Sequence, residues 1–293
     1  TIDGRGERDS SLWGVVDYKD GIQQKGSLQH PNSLGSIWVA ISDYCGFVPG
    51  GEKAGTTMAF AALGEPKYME EFRKIINFDP SKENEWLDID LNYFCIHNCN
   101  GKVSKKFIDT FGPAVNKPGQ YTQVHYDIAA TLQKYTEEII IGKLNNIYNK
   151  TNKTKLVMAG GVCLNSVTNG LILEKTPFKE FFVQPASHDA GAAIGAAYLL
   201  QQEFNKGKKP TPLKNAYLGP EYSAVDIEGV LIKNKNLIEY SKEVGIYKNV
   251  AQLIQEGNVV MWFQGRLEFG PRALGSRSIL APVIDKNMID KLN

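Results

Sequence analysis

Met158-Ala159-Gly160-Gly161-Val162-Cys163-Leu164-Asn165 is the stretch on which the fold turns. A short apolar run, residues 156–159, ends in a glycine pair and gives way to a helical pattern over 165–174. Without a Cβ at Gly160 or Gly161, the backbone can approach a ligand closely. The N–H groups that open the following helix would face the same spot, which suits an anion or a nucleotide. Asn165 could then hydrogen-bond a ribose or base. A tight strand–helix turn with no ligand explains the same residues equally well. Downstream, Phe181-Phe182-Val183 reads as a second strand, and Asp189 opens a helix rich in Ala and Gly that runs to Phe204. Strand, glycine turn, helix, strand, turn, helix is the pattern of an α/β fold.

Upstream, residues 12–18 and 22–28 are strand-like, joined through Lys19-Asp20-Gly21, a hairpin signal. Ser33 is an N-cap candidate before Leu34, Ile37, Trp38, Ile41 and Cys45, which recur at helical spacing. Pro49-Gly50-Gly51 breaks that helix, and residues 55–63 suggest a short one. Residues 121–149 predict a long helix with one apolar stripe: Val124, Ile128, Leu132, Tyr135, Ile139 and Leu144. Residues 77–118 are irregular and polar, and read as an insertion or lid. Residues 205–215 read as a linker, 250–255 as a helix and 259–263 as a buried strand.

Composition bounds the function. The 293 residues carry 33 Lys+Arg against 32 Asp+Glu, a net charge of +1, with 42% hydrophobic residues. Such a chain forms one large domain or two ordinary ones and needs no disulfide or metal to fold. Near-zero charge argues against a broad nucleic-acid surface. No apolar run approaches the roughly 20 residues of a membrane helix. Cys45, Cys95, Cys99 and Cys163 are irregularly spaced, which points to a reducing compartment, the cytoplasm. There is no initiator Met and no signal-peptide pattern, and both ends read as cut from something longer.

Two further clusters could carry chemistry. In His188-Asp189-Ala190-Gly191 the small residues leave a flat helix face. Asp189 is either a helix cap, the commoner use, or a metal ligand pointing into a cleft. After the strand at 259–263 comes Gly265-Arg266-Leu267-Glu268-Phe269-Gly270-Pro271-Arg272-Ala273-Leu274-Gly275-Ser276-Arg277-Ser278. Arginine forks bind phosphate or carboxylate bidentately, although a solvated loop with surface ion pairs uses the same residues. Cys95, His97 and Cys99 lack a second pair to complete a zinc site. His30 and His125 have no obvious partner, and neither a phosphate-binding loop nor a nucleophile elbow is present.

In order along the chain stand Asp3-Gly4-x-Gly6-Glu7, His30-Pro31-x-Ser33-Leu34-Gly35, Gly160-Gly161-Val162-x-Leu164-Asn165, His188-Asp189-Ala190-Gly191, Tyr217-Leu218-Gly219-Pro220, and the arginine segment running on to Ile279-Leu280. This set resembles the O-carbamoyltransferases that decorate nodulation factors and antibiotics. The resemblance implies the second lobe of an actin-like, sugar-kinase-like ATPase fold, related to the tRNA threonylcarbamoyl-adenosine transferase, followed by the start of a YrdC-like α/β domain. It implies boundaries of 1–205 for the ATPase module, 206–216 for a linker and 217–293 for the YrdC-like part. It implies that carbamoyl phosphate and ATP form carbamoyl-adenylate, whose carbamoyl group then moves to a hydroxyl of a small molecule or sugar. By resemblance, Asp3 and Asp189 bind a divalent metal, iron-like or another; Gly55, Gly160, Gly161, Asn165 and Gly191 surround the nucleotide; and Arg272, Arg277 and Ser278 contact carbamoyl phosphate. No nucleic acid or membrane partner is implied, and a homodimer is compatible.

There are departures. The family's two metal-binding histidines and first lobe lie in a segment absent from this chain, and most of the YrdC-like domain would lie beyond Asn293. Gly51-Glu52-Lys53-Ala54-Gly55-Thr56-Thr57-Met58 changes the family's spacing from Lys to Met. This polypeptide alone is therefore expected to turn over little. The competing reading is a nucleotide-binding fragment without turnover; a tRNA-directed transferase is disfavoured by the charge.

Overall fold

A computed structural model describes residues 1–17, 21–47, 54–97, 102–117, 119–205, 211–284 and 288–292. The chain divides into two compact units, Thr1–Ala196 and Ala197–Asn293. Both mix helices with small sheets, an α/β composition as the sequence implies.

The first unit opens on an antiparallel hairpin, β1 (Asp9–Asp17) with β2 (Gly21–Gln29), in which Leu12 faces Ser27 and Val16 faces Ile22. The predicted turn residues Lys19 and Asp20 lie outside the described residues, as do Pro49, Gly50 and Gly51. Ser33 caps α1 (Leu34–Tyr44) as expected, its hydroxyl accepting from the Ser36 N–H at 3.0 Å. Leu34, Ile37, Trp38, Ile41 and Tyr44 of that helix are buried, one face at helical spacing. Next come α2 (Ala54–Ala61) and α3 (Met69–Ile75). The long helix α5 (Gln123–Thr151) spans 29 residues. It starts at Thr122, whose capping box uses His125, and stops where Asn152 turns left-handed. His125 thus has partners after all: Thr122 on one side and the Pro113 carbonyl, 3.1 Å away, on the other.

Residues 77–118 correct the lid expectation. They supply β3 (Ile76–Phe78) paired with β4 (Leu87–Ile89), and α4 (Lys105–Phe111). Trp86, Leu87, Ile89, Phe94, Ile96, Phe107 and Phe111 all lie in the core. Phe107 sits edge-on to Tyr44 at 5.2 Å between ring centres and beside Phe111 at 4.5 Å. A few large rings spaced across short elements bury ample surface without leaving a periodic pattern.

The decisive stretch forms β5 (Lys155–Met158), parallel to β6 (Glu180–Val183), with α6 (Ser166–Lys175) between them. This is the βαβ unit expected of the glycine-turn pattern. A 3-10 turn, Asp189–Gly191, leads into α7 (Ala192–Phe204).

In the second unit, α8 (Ala224–Lys233) begins at a Ser223–Asp226 capping box that the sequence reading passed over. α9 (Ile246–Gln255) precedes β7 (Val260–Phe263), which pairs antiparallel with β8 (Arg277–Leu280), and α10 (Met288–Leu292) follows. Residues 206–210 of the expected linker are outside the described residues. No helix among the described residues is long and apolar enough to cross a membrane.

Candidate functional site

The Gly160-Gly161 bend is gripped from two sides. On one, the Ile2 N–H donates to the Ala159 carbonyl (2.9 Å) and the Val162 N–H to the Ile2 carbonyl (3.2 Å); on the other, the Gly160 N–H donates to the Ser187 carbonyl (2.7 Å). Gly160 has φ +104°, a region open essentially to glycine alone. A Cβ there would stand 2.6 Å from the Ile2 carbonyl carbon. A Cβ on Gly161 would stand 3.0 Å from Oδ1 of Asp3, so that carboxylate lies directly against the bend. Asp3 Oδ1 accepts from the Gly4 N–H at 2.7 Å. The Gly4 carbonyl in turn accepts from the hydroxyls of Ser33 (2.6 Å) and Ser36 (3.0 Å) at the start of α1.

Four segments remote in sequence are thus stacked at the C-terminal ends of two parallel strands, where open α/β sheets bind ligands. They are the Asp3-Gly4 segment, the start of α1, the glycine bend and the segment leading into His188-Asp189. Asp189 is exposed and opens its 3-10 turn; among the described residues its carboxylate accepts no cap bond. Gly191 closes that turn: its N–H donates to the His188 carbonyl at 2.9 Å, and a Cβ would stand 3.1 Å from Gln184 Oε1. Three buried polar atoms of this segment, Gln184 Oε1, Ser187 Oγ and His188 Nδ1, have no hydrogen-bond partner among the described residues. Such orphans are costly inside a protein, and the sequence reading did not single them out.

Other details depart from the sequence reading. A 3-10 turn, Gly161–Leu164, separates the bend from α6, and the N–H groups of Val162, Cys163 and Asn165 bond within the fold. The anion cradle expected of that helix start is therefore largely occupied by the chain itself. Asn165 is buried: Oδ1 caps α6 by accepting from the Thr168 N–H at 3.0 Å, and Nδ2 donates to Gln133 Oε1 at 2.8 Å. Both ends of its amide thus hold the fold, and a ligand would meet only the second Nδ2 hydrogen or the second Oδ1 lone pair. Gly55 stands half-buried in the first turn of α2. Cys99 is outside the described residues.

In the second unit, residues 264–276 link β7 to β8. Residues 216–220 run beside them: the Gly219 N–H donates to the Leu267 carbonyl (2.9 Å), the Leu267 N–H to Pro220 (3.1 Å) and the Phe269 N–H to Ala216 (2.7 Å). Arg277 turns its guanidinium onto carbonyls, Gln264 and Ser276 at 2.8 Å and Gly265 at 3.3 Å, and stacks 3.4 Å over the Phe263 ring. It clasps the loop rather than offering a fork to a phosphate. Ser278 Oγ accepts from the Gly275 N–H at 3.0 Å, and Arg272 is exposed.

The family model for the carbamoyltransferase N-terminus matches residues 1–198, and that for the carbamoyltransferase C-terminus matches 251–293. The chain belongs to the carbamoyltransferase family. An uncharacterized protein of Synechocystis is 35% identical over 301 residues, covering 100% of this chain and 48% of its own length. Nodulation protein NolO of Bradyrhizobium diazoefficiens is 32% identical over 303 residues, covering 100% of this chain and 51% of its own. The 3'-hydroxymethylcephem-O-carbamoyltransferase of Streptomyces clavuligerus is 31% identical over 140 residues, 48% of this chain and 25% of its own. The chain spans about half the length of the curated relatives that it matches end to end.

In this carbamoyltransferase chain, no three His, Cys, Asp or Glu among the described residues stand together to hold a metal ion. The described residues therefore do not by themselves fit the metal that the resemblance implies, and no chemical step is routed through one.

Proposed function

We propose that the chain is the part of an O-carbamoyltransferase that holds an adenine nucleotide at the Gly160-Gly161 bend and meets the carbamoyl donor at the loop over 264–276. In this reading water releases phosphate from carbamoyl phosphate, the carbamate oxygen attacks the α-phosphorus of ATP to give carbamoyl-adenylate as pyrophosphate leaves, and an acceptor hydroxyl of a small molecule or sugar then takes the carbamoyl group, losing its proton, as AMP leaves. The observation that carries it is the stacking of Asp3, the glycine bend and the Ser187–Asp189 segment at parallel strand ends. Family membership supports carbamoyl transfer in general.

The chain's own residues have definable parts. Without a Cβ at Gly160 or Gly161, the Ile2 backbone and the Asp3 carboxylate close directly against the bend, which fixes that carboxylate beside the strand ends. Asp189, exposed, and Asp3 beside Gly161 present carboxylate oxygens to ribose hydroxyls. Arg272 supplies a positive charge for the donor's phosphate, and the Ser278 hydroxyl, which accepts from Gly275, keeps its own proton to donate.

Calorimetry of a non-hydrolysable ATP analogue against this chain and against the full-length protein tests the nucleotide half. Binding that is lost in Asp189→Ala supports the site, and absence of binding to the full-length protein refutes it. Carbamoyl-phosphate-dependent release of pyrophosphate from ATP by the full-length protein tests the chemistry. If Arg272→Ala weakens use of carbamoyl phosphate and ATP equally, the arginine is not a donor contact.

A further inference from the structure

One carboxylate shapes the loop between β7 and β8. Glu268 Oε1 accepts three backbone N–H groups: Leu274 at 2.9 Å, Ser276 at 2.7 Å and Arg277 at 3.2 Å. The N–H of Gly275, which lies between them with φ +96°, goes to Ser278 Oγ. Four successive backbone donors thus turn inward onto two side-chain oxygens. A concavity of successive N–H groups is an anion-binding nest, and here the anion belongs to the same loop. The bond from Glu268 to Leu274 closes a seven-residue ring, and Arg272 stands inside it. From the outer side Arg277 collects the carbonyls of residues 264, 265 and 276, so the two charged side chains divide the loop's donors and acceptors between them.

We infer that Glu268 is a positioning residue for the carbamoyl donor: as a built-in anion it fixes the turn that carries Arg272 and Ser278, and thereby sets how tightly the donor's phosphate is held. This rests on the reading that the loop meets carbamoyl phosphate. Packing around Glu268 acts to raise its pKa, but the N–H groups of Leu274, Glu268 itself, Ser276 and Arg277 outweigh that and hold it down to about 2. The anion is therefore permanent in the neutral range, and charge-assisted hydrogen bonds are roughly twice as strong as neutral ones. The alanine variant removes the acceptor; the glutamine variant keeps an oxygen and removes the charge.

The test uses the full-length protein with Glu268→Gln and Glu268→Ala. Amide exchange at Leu274, Ser276 and Arg277 should quicken at least tenfold in Glu268→Ala and less in Glu268→Gln, while the β7–β8 pair Trp262 and Ser278, which lies in the hydrogen-bonded register of the ladder, keeps its protection. The KM for carbamoyl phosphate should rise at least tenfold in Glu268→Ala, with the KM for ATP within twofold of the parent and Glu268→Gln between. Unchanged exchange overturns the built-in anion. Quickened exchange with an unchanged donor KM overturns the positioning role, as does an equal rise in both KM values, which is what general loosening would give. If the parent protein shows no turnover dependent on carbamoyl phosphate, the functional reading itself fails, and the positioning role fails with it.

Discussion

Replacing Gly160 by alanine should unfold the first unit's central bend more than any surface change of similar size. The substitution adds one methyl group at φ +104°, a conformation that costs a non-glycine residue about 1–3 kcal/mol. The methyl would also meet the Ile2 backbone, with its carbonyl carbon at 2.6 Å and its amide nitrogen at 2.9 Å. Backbone cannot rotate out of the way as a side chain can. Ile2 must retreat, and the hydrogen bonds Ile2–Ala159 and Val162–Ile2 go with it, at about 1 kcal/mol each. Together these come to about 3–5 kcal/mol, against the roughly 5–15 kcal/mol that holds a domain folded. Gly170 in α6 is the control. A Cβ there meets nothing within 4 Å, so Gly170→Ala should stabilise by about 0.5–1 kcal/mol through helix propensity. With a slope near 3 kcal/mol per M urea, Gly160→Ala should lower the unfolding midpoint by about 1–2 M, while Gly170→Ala raises it slightly. A Gly160→Ala midpoint indistinguishable from the parent would refute the view that the bend is fixed by backbone-to-backbone contact.

Phe107→Ala should cost about 3–5 kcal/mol by urea unfolding; a cost below about 0.5 kcal/mol would restore residues 77–118 to a peripheral lid. Asn165→Ala removes the α6 cap and leaves Gln133 Oε1 without its donor, so a loss of about 2–4 kcal/mol is expected by the same measurement, and a near-neutral result would return the amide to ligand duty. Lys143 lies between the Trp13 and Trp86 rings and donates to the Lys82 carbonyl at 2.6 Å. Burial, then the Lys150 ammonium, push its pKa from 10.5 down to about 8. The unfolded chain therefore binds more protons between those values, and the parent should gain stability relative to Lys143→Met as pH rises from about 8 to 10.5; a difference that stays flat across that window would exclude the lowered pKa.

What the sequence disclosed follows from which contacts are local. The Ser33 cap, the stripe along α5, the β1–β2 hairpin and the β5–α6–β6 unit are each decided by residues within a few turns or by simple periodicity, and each is where the residues implied. The core within 77–118 was illegible because Trp86, Phe94 and Phe107 bury themselves against partners from other segments, as Phe107 does against Tyr44. The structural role of Asn165 was half hidden for the same reason: its cap to Thr168 is local and readable, but the bond to Gln133 reaches back 32 residues. Glu268 sat in plain view inside the arginine segment. What marks it is the run of N–H groups around Gly275 that needs an acceptor, a requirement of three-dimensional loop closure that residue types alone do not announce.

The two glycine- and arginine-rich motifs share a logic that bears on how their residues should be tested. In each, the residues with the most hydrogen bonds build the site rather than offer themselves to a ligand. Gly160, Asn165, Glu268 and Arg277 have their polar groups consumed by the chain's own backbone and side chains, whereas Asp189 is exposed and takes no cap bond. Substituting the first set should therefore lower stability or loop order and disturb ligands only as a consequence. Substituting Asp189 should leave the unfolding midpoint nearly unmoved and act on ligand binding alone, since an exposed carboxylate that takes no bond among the described residues contributes almost nothing to the folded state. A variant scan that scored activity without stability would merge these two sets, and so would a reading that took every motif residue for a contact.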